Sequence, residues 1–354
     1  MLTRASLRDE VERVGAAVGV RVVHAADSAP SRKTWSAAAA VILDEDAAAR
    51  CGRGPLPRRA HVIVVSSAEP TGATWQAAIS VGAQRVLTLP DDGNELVREL
   101  AEAGEAVRDD GRNTLSGEVI AVVGGRGGAG ASLFAAALAH TAGDALLVDL
   151  DAWGGGIDLL IGSENTSGLR WPDLALQGGR LTWPAVREAL PRLRSVSVLS
   201  GTRRGYEPDA CAVDAVVDAG RRGGVTVVCD VPRVMTDVAE TALDAADLVV
   251  VVSPCDVRAC AASSAIAPRL RDVNPNLGVV VRGPSPGGLR AAEVADITGL
   301  PLLASMRAEP RLTEWLEHGG LRLPRRSALA AAARRVLDLL SSHRSTAAVQ
   351  VLPA

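Results

Sequence analysis

Residues 119–132 read Val-Ile-Ala-Val-Val-Gly-Gly-Arg-Gly-Gly-Ala-Gly-Ala-Ser, an apolar run that passes directly into a glycine-rich loop. Residues 133–140, Leu-Phe-Ala-Ala-Ala-Leu-Ala-His, then have a composition that favours a helix. A strand, a glycine-rich loop and a helix in this order are typical of a phosphate-binding P-loop, in which backbone N–H groups and a helix N-terminus surround an anion. The stretch therefore predicts an α/β fold with an anion site at the loop.

The loop lacks one charge. A P-loop usually carries lysine before its final Ser or Thr, but Ala131 occupies that position. The chain's single lysine, Lys33, stands much earlier in the sequence and offers no replacement near the loop. We therefore expect a phosphate cradle that keeps its backbone donors without its main cation.

The composition limits the function classes. Hydrophobic residues make up 47% of the 354 residues, enough for buried cores, and the length favours two domains. The net charge of −3 gives no electrostatic reason to expect nucleic-acid binding, and arginines such as Arg192, Arg203 and Arg221 alternate with acids as on a solvated surface. Neither a signal-peptide core nor a run of about 18 apolar residues is present, so we expect a cytoplasmic protein.

Strand and helix patterns alternate through the first segment, residues 1–103. Apolar residues recur at helical spacing from Leu7 to Val18, and a second helix is expected from Asn94 to Ala103. Strand-like runs lie at 21–24, 40–43, 61–65 and 85–89. We interpret the segment as a small flavodoxin-like α/β domain with helices on both faces of a parallel sheet. A polar linker follows over 104–117.

The second segment, residues 118–341, is predicted to form a larger, doubly wound and mostly parallel P-loop domain. Its strand-like runs are nearly continuous in Val, Leu and Ile, as in parallel strands that are buried on both faces. They lie at 119–123, 145–149, 196–199, 225–229, 248–252, 277–281 and 300–303. A flexible tail is expected over 342–354.

Three aspartates stand at strand ends of this domain. Asp149 and Asp151 close the 145–149 run, and Asp230 closes the 225–229 run. Ligands bind at the carboxyl ends of parallel strands, and Mg²⁺ prefers carboxylates, a loop hydroxyl such as that of Ser132, and phosphate oxygens. Each aspartate alone is as consistent with a plain turn, but together with the loop they predict a nucleotide–Mg²⁺ site.

The loop and the run Leu147-Val-Asp-Leu-Asp151 resemble the deviant Walker A family of MinD and ParA ATPases. That family's loop reads Lys-Gly-Gly-x-Gly-Lys-Thr/Ser, so Arg126 aligns with the lysine that reaches the partner's phosphates across a dimer, and Ala131 aligns with the second lysine. The resemblance implies a homodimer that binds ATP or ADP with Mg²⁺. It places nucleotide contacts at Gly125, Arg126, Gly127, Gly128, Ala129, Gly130, Ala131 and Ser132, the metal at Ser132, Asp149 and Asp230, and catalysis at Asp151 and Arg126.

The whole chain is also similar to CpaE/TadZ pilus-localisation proteins, in which a receiver-like domain precedes such an ATPase domain. The runs Gly168-Leu-Arg-Trp-Pro-Asp173 and Val281-Arg-Gly-Pro-Ser-Pro-Gly-Gly288 resemble the actinobacterial branch called septum site-determining proteins, Ssd. The family's adenine-reading Asn-Arg pair is replaced by Arg282-Gly283-Pro284, which leaves base recognition open.

The first domain resembles a response-regulator receiver that has lost its chemistry. Asp44 stands where the phosphoacceptor would be, but Thr88-Leu89-Pro90 replaces Thr/Ser-Lys-Pro. No strand with an acidic pair precedes Leu7, so either that strand is absent or the chain start has been placed too late. We expect a pseudo-receiver that is used for docking.

The C-terminal segment, residues 327–340, has one apolar helical face and nearby arginines. MinD-type proteins carry a basic amphipathic C-terminal helix that lies on a membrane, so peripheral membrane contact is one interpretation. A closing helix packed on the sheet is the other, and we favour it. The residues of this face are Leu329, Ala333, Val336, Leu337 and Leu340.

We therefore expect a protein that positions a cell-division septum or a pilus/secretion apparatus. It would act as a nucleotide-biased dimer with weak or absent ATP hydrolysis, bind cell-division or pilus/secretion proteins, and work in the cytoplasm or at the inner face of the membrane, septum or pole. Two alternatives stay open: an active ATPase whose partner-stimulated turnover uses Arg126, and a scaffold that binds no nucleotide.

Overall fold

The structure is a computed structural model of the chain. It describes residues 1–24, 30, 34–35, 38–53, 56, 59–112, 117–174, 181–285, 287–324 and 326–349, with the backbone alone for 105–112 and 343–349. Lys33 and the end of the expected tail lie outside the described residues. The chain forms two compact units, Met1–Thr114 and Leu115–Ala354.

The first unit is built on a three-stranded parallel sheet in the order β1-β2-β3. Alternate residues of β2 enter two different cores: Ile63 and Val65 pack with α1 and α4, whereas Val62 and Val64 pack with α2 and α3. Both faces of this sheet are thus covered, as its apolar runs predict. The elements are β1 Val41–Leu43, β2 Val62–Ser66, β3 Arg85–Thr88, α1 Ala5–Val18, α2 Glu45–Cys51, α3 Gly72–Ser80 and α4 Gly93–Arg112.

Two local expectations for this unit differ from the structure. The strand expected over 21–24 is not formed, because Gly19, at φ 72°, ends α1 and turns the chain back, so that the Val20 amide donates to the Gly15 carbonyl at 3.0 Å. Val20 and Val22 then pack on the core as irregular chain. Helix α4 continues to Arg112, past the expected end at Ala103, while the bounds of the linker stay a prediction.

The described residues of the second unit form an eight-stranded sheet in the order β11-β10-β9-β4-β8-β5-β7-β6, whose strand pairs are parallel except for β6–β7. Each strand predicted from the sequence is present, and β6 is an addition. The strands are β4 Val119–Gly124, β5 Ala145–Asp149, β6 Arg192–Leu193, β7 Val196–Leu199, β8 Thr226–Val231, β9 Leu248–Pro254, β10 Leu277–Gly283 and β11 Leu302–Arg307. The helices are α5 Ala131–Ala142, α6 Ile157–Ile161, α7 Trp183–Ala189, α8 Ala210–Arg222, α9 Asp237–Ala245, α10 Val257–Val273, α11 Ala291–Thr298, α12 Leu312–Glu317 and α13 Ala328–Val349.

Helices cover both faces of the large sheet. On β4, Val119, Ala121 and Val123 belong to a core with α8, α9, α10 and α11, whereas Ile120 and Val122 belong to a core with α5 and α13. The parallel order places β4 in the interior of the sheet and brings the carboxyl ends of β4, β5, β8, β9 and β10 to one edge. A ligand site is expected at that edge.

The C-terminal helix α13 is packed on this sheet. Leu329, Ala333 and Val336 are buried in one core with residues of α5 and β11. The apolar face of α13 is therefore buried within the unit, as the interpretation of a helix packed on the sheet predicts. Among the described residues, no helix is both long enough and apolar enough to cross a membrane.

Candidate functional site

The glycine-rich loop leaves the carboxyl end of β4 and leads into α5. Gly128 and Gly130 have φ values of 71° and 96°, a left-handed conformation that glycine adopts most readily. The Gly125 amide donates to the Val252 carbonyl at 2.9 Å, and a Cβ at position 125 would lie 2.0 Å from the Ser263 hydroxyl. Strand β9 and helix α10 therefore fix the start of the loop, and only glycine fits there.

The loop presents backbone donors to a ligand. The amides of Gly127, Gly128 and Gly130 have no hydrogen-bond acceptor among the described residues. Ala131 and Ser132 open α5, a helix of 12 residues, so their amides lack an intrahelical partner as well. Free amides at the N-terminus of a helix attract anions, and this loop therefore fits a phosphate group.

Two arginines lie against the loop. Arg126 donates from Nη1 to the Gly127 carbonyl at 3.0 Å and from Nη2 to Asp256 Oδ2 at 3.2 Å. Arg282, near the end of β10, donates from Nη2 to the Gly128 carbonyl at 3.3 Å. The sequence predicted neither the pairing of Arg126 with Asp256 nor the loop contact of Arg282.

Asp256 is held in place by its position at the N-cap of α10. Its carboxylate accepts a hydrogen bond from the Ala259 amide at 2.8 Å, and this bond together with Arg126 holds the pKa of Asp256 below its ordinary value. An acid in an N-cap is a common pattern, but its contact with Arg126 depends on the fold. In this structure the Arg126 side chain thus contacts groups of its own chain, Gly127 and Asp256.

Asp149 is buried at the end of β5, and its carboxylate accepts hydrogen bonds from other groups of the same chain. Oδ1 accepts from the Asp151 amide at 3.1 Å, while Oδ2 accepts from the Ile157 amide at 2.8 Å and the Ser200 hydroxyl at 3.1 Å. Burial raises the pKa of Asp149 against the effect of these bonds. The geometry makes Asp149 an anchor for the loop from 150 to 157.

Asp230 lies near the end of β8, beside Asp149 in the sheet register, and shares a hydrogen bond with Ser132. Burial raises the pKa of Asp230 to about 7, and the nearby carboxylates of Asp149 and Asp151 add to the rise, whereas the Ser132 bond opposes it. A cation at this position would relieve the burial of negative charge. Ser132 and Asp230 therefore fit Mg²⁺.

Asp151 is exposed, and its Oδ1 accepts from the Trp153 amide at 3.2 Å. Within the part of the chain that the structure describes, no three His, Cys, Asp or Glu side chains are arranged to hold a metal ion. A Mg²⁺ ion at this edge would thus take phosphate oxygens and water in addition to Ser132 and Asp230. Asp151 has the exposure that contact with such a water requires.

A third buried acid, Asp158 of α6, carries no motif that would predict its role from the sequence. It forms ion pairs with Arg203 at 3.0 Å and Arg170 at 3.5 Å, and it lies 3.3 Å from the Ser200 hydroxyl that also contacts Asp149. The neighbouring Trp171 donates from Nε1 to the Asp149 carbonyl at 2.7 Å. The 168–173 motif thus stabilises the end of β5.

Four of the surface arginines that could suggest nucleic-acid binding form ion pairs within the chain. Arg203 pairs with Asp158, as described, and three more have aspartate partners between 2.8 and 3.4 Å. Their charges are partly balanced, as on an ordinary surface. These pairs are Arg192–Asp144, Arg221–Asp247 and Arg222–Asp218.

In the first unit, both carboxylate oxygens of Asp44 accept hydrogen bonds. Oδ1 accepts from the Ala47 amide at 2.9 Å and caps α2, while Oδ2 accepts from the amide and the hydroxyl of Thr3. Burial acts to raise the pKa of Asp44, but the hydrogen bonds from Thr3 and Ala47 prevail and lower it. Leu89, where a receiver has lysine, is buried in the core.

Comparisons with known proteins support the fold described for each of the two units. A family model described as the Rv3660c-like, CheY-like N-terminal domain matches residues 1–111, which confirms the receiver-like fold. Two Mycobacterium tuberculosis proteins, Rv3660c of strain ATCC 25618 / H37Rv and MT3760 of strain CDC 1551 / Oshkosh, are each 72% identical over 341 residues, or 96% of this chain and 97% of theirs.

Solved structures identify the fold of the larger unit. A ParA family ATPase from Chlorobium tepidum TLS matches with a TM-score of 0.56 and 14% identity, covering 63% of this chain and 99% of that one. The MinC:MinD cell division protein complex of Aquifex aeolicus matches with a TM-score of 0.53 and 21% identity, covering 62% and 96%. These similarities confirm the MinD/ParA fold, whereas the Ssd branch stays a prediction.

Proposed function

Because this chain belongs to the family of the mycobacterial protein Rv3660c and contains a MinD/ParA-type fold, we propose that it is a nucleotide-binding positioning protein. It binds ATP or ADP with Mg²⁺ at the loop and associates with its partners according to the nucleotide state. The observation that carries the proposal is the set of free amides at Gly127, Gly128 and Gly130, at the N-terminus of α5.

In this proposal the residues of the sheet edge have separate tasks. The loop amides that have no acceptor among the described residues, those of Gly127, Gly128, Gly130, Ala131 and Ser132, hold the phosphates. Ser132 and Asp230 hold Mg²⁺, which supplies positive charge to the phosphate oxygens. Asp149 acts through the loop that it anchors, and the exposed Asp151 orients water.

Hydrolysis is expected to be slow or absent because Ala131 carries no charge. Removing one group that stabilises developing charge in a transition state typically costs about 3–4 kcal/mol, which is a rate loss of more than a hundredfold. The nucleotide would then act chiefly as a ligand that biases association. The alternative, an active ATPase that uses Arg126, predicts turnover that a partner or a membrane stimulates.

We propose that the face with the loop binds a second copy of the chain. Three exposed apolar side chains follow the carboxyl ends of β5, β8 and β9: Trp153, Val234 and Val257, with exposed fractions of 87%, 69% and 74%. Arg126 lines a groove with Val257, so apolar surface and a cation lie side by side. Such a mixture is common in protein interfaces.

The further partners are proposed to be cell-division or pilus/secretion proteins, at the cytoplasmic face of the septum or pole. Membership in the Ssd branch would favour the septum. One structural relative is a cell division protein in a complex with MinC, which fits a partner of this general kind. Imaging a fluorescent fusion in dividing cells separates a septal from a polar location.

Calorimetric titration of the full chain with ATP–Mg²⁺ and ADP–Mg²⁺ tests nucleotide binding. We expect saturable binding that Gly130→Ala abolishes, because a Cβ there lies 3.1 Å from Arg282 Nη1 and the φ of 96° strains alanine. Gly143→Ala is the matched control: it follows the same helix at φ 93°, with no atom within 4 Å of its Cβ. No heat and no thermal shift with either nucleotide would support the nucleotide-free scaffold.

A further inference from the structure

The absence of lysine at position 131 raises the question of which group brings positive charge to a bound polyphosphate. We propose that Arg282 does so, reaching the loop from the end of β10 and contacting the phosphates in place of the missing lysine. This inference rests on the proposed function, because it names the cation of the same site.

The position of Arg282 is the first observation. Its Nη2 donates to the Gly128 carbonyl at 3.3 Å, and a Cβ built on Gly130 would lie 3.1 Å from its Nη1. The guanidinium therefore lies against the loop within one residue of Ala131. Arg282 is 154 positions from Gly128 in the chain and reaches the loop across the neighbouring strand β9.

The charge of Arg282 is the second observation. Among the described residues Arg282 forms no ion pair, and Asp256, whose charge acts on it, is paired with Arg126. Burial lowers the pKa of Arg282, and Arg126 adds to this effect while Asp256 opposes it. Guanidinium nevertheless stays charged at neutral pH. Within the described chain, the hydrogen-bond acceptor of this half-buried cation is a neutral carbonyl, which compensates the charge poorly, so an anion at the loop would stabilise it.

Arg282 also stands where the MinD/ParA family has its adenine-reading pair, so a contact with the base is the competing role. The observed contact with the Gly128 carbonyl places its charge at the phosphate loop. A probe without a base separates the two roles. Inorganic tripolyphosphate has the charge of the nucleotide phosphates, whereas adenosine has only the base and the sugar.

The test measures the affinity of the full chain for tripolyphosphate–Mg²⁺, ATP–Mg²⁺ and adenosine by calorimetry. Arg282→Ala should weaken tripolyphosphate and ATP binding about ten- to hundredfold, as expected for a charge-assisted contact, and leave adenosine unchanged. Adding Ala131→Lys to Arg282→Ala should restore most of the loss, because lysine supplies the same charge. Arg307→Ala, an exposed arginine on the adjacent strand β11, is the control and should change neither affinity.

Arg282→Gln checks that the loss comes from charge and not from misfolding. Glutamine keeps a donor for the Gly128 carbonyl, so it should retain the wild-type melting temperature and still lose tripolyphosphate affinity. The proposal is overturned if Arg282→Ala leaves tripolyphosphate binding intact, whether or not adenosine and ATP binding fall. If the wild-type chain binds neither tripolyphosphate nor ATP, the proposed nucleotide site itself is wrong.

Discussion

At the scale of single residues, hydrogen-bond partners decide which side chains of the sheet edge can serve a ligand. Asp149 accepts three hydrogen bonds from its own chain, so its oxygens are committed to the structure. Asp230 shares a bond with the Ser132 hydroxyl, a group that can turn toward a metal ion. Arg126 has an acidic partner and Arg282 has none within the described chain, so the two arginines respond differently to an anion.

Replacing Ala131 with lysine should strengthen ATP binding. The new ammonium would form a charge-assisted contact with the phosphates, which is worth about 1.5–3 kcal/mol. We expect about a tenfold gain, at the lower end of that range, because the Arg282 guanidinium is already close and repels it. Calorimetry and phosphate release, measured beside the wild-type chain, check the prediction. A folded variant that gains in neither assay would favour a scaffold without a nucleotide site.

Replacing Asp44 with asparagine should destabilise the first unit by about 1–3 kcal/mol at pH 7, because Thr3 and Ala47 lose an ionised acceptor. The folded-state pKa of Asp44 is lowered, so its contribution is present above the ordinary aspartate pKa and is lost as the pH falls below it. Urea unfolding should therefore show a smaller difference between the two proteins at pH 3 than at pH 7.

A stoichiometric mass gain on residues 1–103 with a small phosphodonor would contradict the pseudo-receiver interpretation.

At the scale of elements, the packing of α13 decides what its apolar face can do. Leu329 is 4% exposed and lies in a core with α5. A helix whose apolar residues are buried in this way stabilises its own unit and has little apolar surface left for a membrane.

Leu329→Ala should therefore lower the free energy of unfolding by about 2–5 kcal/mol, the usual effect of removing a buried leucine side chain. Arg334→Ala, on the exposed face of the same helix, should change it by less than about 0.5 kcal/mol. Denaturant unfolding measures both values. If Leu329→Ala keeps its stability but loses binding to anionic vesicles, the membrane interpretation of α13 would replace the packed one.

Helices and strands could be predicted from the sequence more fully than contacts between distant side chains. The run 119–132 specified strand, loop and helix because continuous apolar residues, glycines and alanines each act locally. The 21–24 run failed as a strand because Gly19 turned it onto α1, which is a packing effect. The Arg126–Asp256 and Arg282–Gly128 contacts join residues 130 and 154 positions apart, and no local pattern encodes them.

At the scale of the whole molecule, each unit has its own sheet and its own cores. The apolar residues at the sheet edge with the loop are exposed in a single chain, and the proposed dimer would bury them. Arg126 lines a groove with Val257, one of these residues, and in the proposed dimer it would reach the partner's phosphates.

Arg126→Ala should weaken nucleotide-dependent dimerisation at least tenfold, because one charge-assisted contact to phosphate is lost. Light scattering with ATP–Mg²⁺ over a range of protein concentrations measures the effect. Arg187→Ala, an exposed arginine on α7, serves as the control. If dimerisation is unchanged, Arg126 does not contact phosphate in the dimer, and its role is the ion pair with Asp256.

The exposed Trp153 gives the molecule an optical signal of its own. Its indole is 87% exposed and lies beside Gly205, while its amide is bonded to Asp151. Trp35, Trp171 and Trp183 are buried, so their emission is blue-shifted, whereas Trp153 and the half-exposed Trp75 emit further to the red. Ligand binding at Asp151, or a second chain over this face, would alter the red component, and subtracting the spectrum of Trp153→Phe isolates it. Events at the sheet edge can thus be followed by intrinsic fluorescence without an attached dye.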